Sequence, residues 1–170
     1  ATMIALDAKF AIRGASGTRT VAARDFFVGL FTTVLEPDEI VTEIVIPTPT
    51  PRSGGAYQKL ERKVGDFATA AVAAQLTLDA TGACQRAGIA LTNVGATPIR
   101  AASAESFLTG KPLDAATIGE AATMAASAAE PVADRRGSEE YKRDLVRVLA
   151  ARALQTAARR ARGETGTREG

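Results

Sequence analysis

The stretch "FATAAVAAQLTLDATGACQRAGIALTNV", residues 67–94, decides what kind of domain this chain builds. It holds two strand-like apolar runs, 67–78 and 84–94, joined by "DATGACQ", which has the composition of a hairpin turn. In the first run Ala68, Ala70, Val72, Ala74, Leu76 and Leu78 share one face. That face is mostly alanine, so its neighbour must approach very closely, and helices are the simplest cover. A third strand-like run, 56–62, precedes the pair.

Helical segments follow as that reading requires. "ATPIRAASAESFLTG" (96–110) has Pro98 near its start and Gly110 as a stop. "LDAATIGEAATMAASAAE" (113–130) has Asp114 as N-cap and Pro131 just past its end. The last segment, 138–162, opens on Ser138-Glu139-Glu140 and closes on Arg159, Arg160 and Arg162 before Gly163. Tyr141, Leu145, Val148, Leu149 and Leu154 are expected on its packed side. The tail "ETGTREG" (164–170) is expected to be disordered. The second part of the chain thus reads as α+β: a three-stranded antiparallel sheet covered by about three helices.

The first part reads differently. "MIALDAKFAIRG" (3–14) alternates Ile4, Leu6, Ala8, Phe10 and Ile12 against Asp7, Lys9 and Arg13, the pattern of a half-buried strand beginning almost at residue 1. Strands need partners, so this one is expected to start inside a larger fold. "GASGTRT" (14–20) is a turn. "AARDFFVGLFTTVL" (22–35) spaces Phe26, Phe27, Leu30 and Phe31 as a short helix or helical turn would, with Asp25 in its first turn. "EPDEIVTEIVIP" (36–47) gives a turn and then a strand from Ile40 to Ile46, apolar on both faces and so expected to be largely buried. "PTPTPRSGG" (47–55) reads as a linker or exposed connection.

Composition excludes several functions. Net charge is +2, too small to argue for a nucleic-acid partner. There is no histidine, so the usual general base and the commonest metal ligand are missing. A lone cysteine, Cys84, builds neither a disulfide framework nor a metal site. No apolar run reaches membrane-spanning length and the first residues lack the features of a signal peptide, so the chain reads as soluble and intracellular.

Most candidate sites have a plain structural reading. The basic end of the last helix complements the helix C-terminus. Cys84 beside a turn reads as a buried thiol. Gly54-Gly55 is followed by no helix and reads as flexible punctuation rather than a phosphate loop. Thr92-Asn93 is as readily a strand-to-turn transition as a ligand contact. "KLERKVGDF" (59–67) keeps two readings. In a strand, Lys59, Glu61 and Lys63 share one face and Arg62 the other. It is either a solvated edge with lysines against aggregation, or a cationic rim beside Gly65, where backbone approaches a flat ligand closely.

Four blocks in order, "EIVTEIVIP", "GGAYQKLERKVGDFATAAVAAQLTL", "IALTNVGATPIRA" and "RGSEEYKRDLVRVLAARAL", resemble the flavoprotein (medium) subunit of the molybdenum hydroxylases. The similarity is nearest to the aerobic carbon monoxide dehydrogenase branch, with xanthine dehydrogenases more distant, and runs from about residue 3 to residue 160. The resemblance implies that residues 1–49 end a vanillyl-alcohol-oxidase-like FAD-binding subdomain and that 54–170 form the family's C-terminal domain. It also implies glycine-rich pyrophosphate-binding segments, expected to precede residue 1.

Site residues follow from the same resemblance. Val41, with Ile40 beside it, is similar to the segment that meets the flavin. Lys59 resembles the lysine that reaches the flavin ring. Phe67 falls where carbon monoxide dehydrogenases typically place a tyrosine against the isoalloxazine. Arg62 and Asp66 match a basic-then-acidic pattern at the flavin edge and are given a shaping role. No residue is assigned as catalytic or as a metal ligand.

The implied function is electron transfer by one subunit of an oxidoreductase, not catalytic alone. Electrons would come from a molybdenum cofactor in a large subunit through 2Fe–2S clusters in a small subunit to FAD, and leave to an acceptor such as a quinone. The implied assembly is a dimer of heterotrimers, cytoplasmic, with the inner membrane face open to it through the complex. Two alternatives remain: an assembly fragment without FAD, or the flavin subunit of a hydroxylase for aromatic heterocycles or aldehydes.

Overall fold

The computed structural model describes residues 1–164. The tail expected to be disordered lies, past Glu164, outside the described residues. At the centre are two long antiparallel strands, β7 (Ala70–Leu78) and β8 (Cys84–Thr92). They are flanked by β6 (Ser53–Leu60) and by a short β9 (Ile99–Arg100), giving a sheet of order β6-β7-β8-β9. The expected three-stranded sheet therefore gains a fourth strand, because the segment around Ile99 pairs with Ala90–Leu91 before turning into helix. Shorter strands precede β6 in the chain and form two smaller sheets.

Three long helical segments cover one face: α3 (Ala102–Leu108), α4 (Ala115–Ser127) and α5 (Glu139–Ala161). Ala70, Val72, Ala74, Leu76 and Leu78 are buried in one cluster with Leu108, Ile118, Ala122, Leu149, Ala153 and Leu154. The alanine face does its expected work of admitting helices at short range. Local caps hold where the residue types place them: the Asp114 carboxylate accepts from the Thr117 amide and the Ser138 hydroxyl from the Tyr141 amide. Gly110 takes a φ of +78° two residues past α3. Pro98 stands before β9, so α3 begins later than expected, at Ala102. On α5 the packed side carries Val146, Leu149 and Leu154, while Tyr141 is exposed.

The Gly54-Gly55 pair is not a linker. β6 begins at Ser53, and a β-carbon on Gly54 would meet the α5 backbone. Glycine is required there by a close approach of strand and helix rather than by flexibility.

The first part of the chain packs on the other face of β7–β8. A short helix, α1 (Thr2–Ala5), replaces the start of the expected strand, and the strand proper is β1 (Lys9–Gly14). Asp7 turns the chain between them at φ +56°. Ala5 lies against Gly88, where a β-carbon would come within 2.1 Å of the Ala5 carbonyl oxygen. Ile4, Ala8, Phe10 and Ile12 are buried with Ala73 and Ala90, so the even-numbered face was the buried one, Leu6 excepted.

β1 pairs with β2 (Gly17–Ala22) and with β5 (Ile40–Val45) in a sheet of order β2-β1-β5. Of the short helix or helical turn expected within 22–35 the structure has the single turn α2 (Ala23–Phe26), followed by a small hairpin of β3 (Phe27–Gly29) and β4 (Thr32–Thr33). Phe26 stacks edge-on against Phe10 (ring centroids 4.6 Å) and Phe27 (5.1 Å), which secures the start of the segment. Phe31, at φ +54°, points wholly into solvent, and the β-branched Thr32-Thr33 pair favours strand. β5 overturns its expected burial: it forms an edge of the sheet, and Ile40, Ile44 and Val45 are exposed at 64%, 55% and 49%. Among the described residues, no helix is long and apolar enough to cross a membrane.

Candidate functional site

The charged cluster sits where β6 ends and β7 has not begun. β6 stops at Leu60, so residues 61–69 form a loop and the expected alternation of Lys59, Glu61 and Lys63 does not continue as a strand face. Gly65 takes φ +87°, a left-handed conformation that turns the loop back toward β7. The Thr69 amide donates to the Leu60 carbonyl at 2.8 Å and closes it.

A cavity of about 320 Å³ opens beside this loop, lined by Tyr57, Lys59, Asp66, Phe67, Thr92 and Asn93 among others. Three of the expected site residues, Lys59, Asp66 and Phe67, meet there. The Lys59 ammonium donates to the Asp66 carbonyl at 3.1 Å. It also ion-pairs at 2.5 Å with Glu61 Oε2, an oxygen shut off from solvent and oriented outside hydrogen-bond geometry. The Phe67 ring is 77% exposed, an apolar plate presented at the rim.

Arg62 joins through Asp66, with Nε 3.4 Å from Oδ2, but its own side chain is 73% exposed. Burial pushes the Asp66 carboxyl up; the Phe67 amide, Arg136 and Arg62 outweigh it and hold the group below the usual aspartate range. Ile40 and Val41 are not brought to this cavity. They lie on exposed β5, opposite Arg13 and Ile12 of β1.

Tyr57 and Arg136 went unrecognised in the sequence, and Thr92-Asn93 had equal claim to a turn. Asn93 is both: it turns the chain at φ +65° and lines the cavity. Tyr57 lies two residues before Lys59 on the same strand face, a period-two signal that was available. Arg136 carried no local signal at all.

Elsewhere the candidates are structural. Burial pushes the Cys84 thiol up to about 11. Arg160 donates to the Gly55 carbonyl and Arg162 to the Leu113 carbonyl at 3.0 Å, so the basic end of α5 ties the helix to the sheet and to the segment leading into α4. Among the described residues, no cluster of acidic, cysteine or histidine side chains could hold a metal ion.

Comparison places this architecture among flavoprotein chains. It superposes on reconstituted CO dehydrogenase from Oligotropha carboxidovorans with a TM-score of 0.89 and 42% identity, covering 94% of this chain and 55% of that one. Residues 55–157 match the CO dehydrogenase flavoprotein C-terminal domain, and residues 1–49 match the FAD binding domain in molybdopterin dehydrogenase. The carbon monoxide dehydrogenase medium chain of Afipia carboxidovorans is 42% identical over 95% of this chain and 56% of its own length. That of Hydrogenophaga pseudoflava is 38% identical over 92% of this chain and 54% of its own length. The chain belongs to the CO dehydrogenase flavoprotein family. It spans about half the length of the relatives it matches.

Proposed function

We propose that the chain is part of the flavin-carrying subunit of a molybdenum-containing hydroxylase, of the carbon monoxide dehydrogenase type. The observation that carries this reading is the meeting of Lys59, Asp66 and an exposed Phe67 ring at one cavity in a chain of this family. Residues 1–49 act as the end of a vanillyl-alcohol-oxidase-like FAD-binding subdomain, and 54–170 as the C-terminal domain that completes the flavin site.

The residues present fit one end of FAD. A cavity of about 320 Å³ takes a flat ring edge and not a dinucleotide. Phe67 offers an apolar face for a planar ring. The Lys59 ammonium favours negative charge developing at its edge, and Arg62 acts only through its pair with Asp66. Val41 and Ile40 lie outside this cavity on exposed β5, so the ring contact rests on Phe67 and Lys59. Bound FAD supplies the electron relay between the 2Fe–2S clusters of a small subunit and an external acceptor such as a quinone, and the protein positions and tunes it. A large subunit bears the molybdenum cofactor and the substrate site. The assembly is a cytoplasmic dimer of heterotrimers.

Flavin content tests the reading. The complex purified with its partner subunits is expected to carry stoichiometric FAD by visible absorbance. Residues 1–170 alone are expected to hold it weakly, because donors for the pyrophosphate are not part of this cavity. An assembled complex devoid of flavin would make the chain a docking module instead.

A further inference from the structure

Phe67 is held on both sides by one residue distant in sequence. Arg136 donates through Nη1 to the Ala68 carbonyl at 3.1 Å and through Nη2 to Asp66 Oδ1 at 3.3 Å. The same Oδ1 accepts from the Phe67 amide at 2.8 Å, and the Asp66 carbonyl accepts from Lys59 Nζ at 3.1 Å. The guanidinium thus grips the backbone just after Phe67 and the carboxylate just before it, and through Asp66 it reaches Lys59. The pair is half-sheltered: the Arg136 and Asp66 side chains are 25% and 14% exposed.

The arginine is itself anchored. Asp134 Oδ1 accepts from the Arg136 amide at 2.8 Å and pairs with Lys142 Nζ at 2.9 Å. Lys142 is buried at the start of α5 and donates to the Val132 carbonyl at 2.7 Å. A rigid helix therefore holds the loop of residues 131–137, and that loop braces the loop of residues 61–69.

We infer that Arg136 is a positioning residue, setting the pose of the Phe67 ring and the Lys59 ammonium against the flavin ring. This rests on the flavin reading above. The planar fork matters as well as the charge, since two acceptors in different directions are satisfied at once, which an ammonium on a flexible stem does less well.

Arg62 and Lys63 make the 61–69 loop a tryptic site that reports its order without any flavin. Arg136→Met is expected to raise cleavage after these two residues about tenfold under native conditions, the loss of one charged hydrogen bond's worth of closure. In the assembled complex, Arg136→Met and Arg136→Lys should both alter the visible circular dichroism and the potential of the bound flavin. Gly54→Ala, which strains the distant β6–α5 contact, serves as the control: it should lower the melting temperature and leave both flavin signals at wild-type values. Unchanged cleavage in Arg136→Met would dispose of the brace. Faster cleavage with unchanged flavin signals would reduce Arg136 to a structural staple. A wild-type complex without flavin, measured first, would instead remove the reading on which this inference rests.

Discussion

Gly54 and Ala157 touch backbone to backbone: a β-carbon on Gly54 would stand 2.2 Å from the Ala157 carbonyl oxygen and 2.4 Å from the Ala161 nitrogen. Neither atom is on a side chain that could move aside. Gly54→Ala must therefore push β6 from α5, straining the contact on which the helical layer closes. A loss of about 1–3 kcal/mol is expected from overpacking. Chemical denaturation of the variant beside wild type measures it, and an unchanged midpoint would mean that α5 sits further from the sheet.

Ala70 and Ala74 are 0% and 3% exposed on the face that α5 covers. Ala70→Leu or Ala74→Leu inserts three heavy atoms where no gap exists, at an expected cost of about 1–3 kcal/mol. A melting temperature equal to wild type in either variant would contradict the packing described here.

Arg19 on β2 and Glu39 just before β5 clasp the two edges of the three-stranded sheet, with Nη2 and Oε2 2.7 Å apart. The Arg19 side chain, aided by the Glu36 amide, lowers the Glu39 carboxyl to about 2 from 4.5. A depressed folded-state value means the stabilisation is fully present above about pH 4.5 and is lost as pH falls toward about 2. Glu39→Gln should flatten that part of the melting-temperature profile in acid. Parallel profiles for both proteins would show that the clasp adds nothing to folding.

The Cys84 thiol is buried and raised to about 11. It should stay unmodified by a thiol-specific reagent at neutral pH and react in full once the chain is denatured. Rapid labelling of the native protein would show that the β8 end of the sheet opens.

Lys59 and Phe67 separate the flavin site from an ordinary surface. Lys59→Met in the loaded complex should lower the flavin potential, since a charge contact of about 1.4 kcal/mol corresponds to about 30 mV for a two-electron couple. The Glu61 partner shares that ammonium, so the shift should not exceed this figure. Phe67→Ala should weaken FAD retention by about 1–3 kcal/mol, by analogy with base–aromatic stacking. An unchanged potential together with full flavin occupancy would return both residues to ordinary solvated surface.

Sequence alone determined what is set by near neighbours along the chain. The β7–β8 hairpin, the alanine face, the caps at Asp114 and Ser138 and the stop at Gly110 depend on residues within a few positions of each other, so periodicity and residue type reveal them. The candidate site was half legible for the same reason: Lys59, Asp66 and Phe67 come from one contiguous segment. Tertiary structure decided the rest. The apolar strand β5 looked like core, yet its exposure follows from its place at the edge of β2-β1-β5, which pairing and not composition sets. Gly54 looked like a hinge until α5 lay on it. Arg136 reaches Asp66 across 70 residues of chain, a contact with no local pattern to announce it, because only the packing of α5 and its preceding loop brings the two within hydrogen-bonding distance.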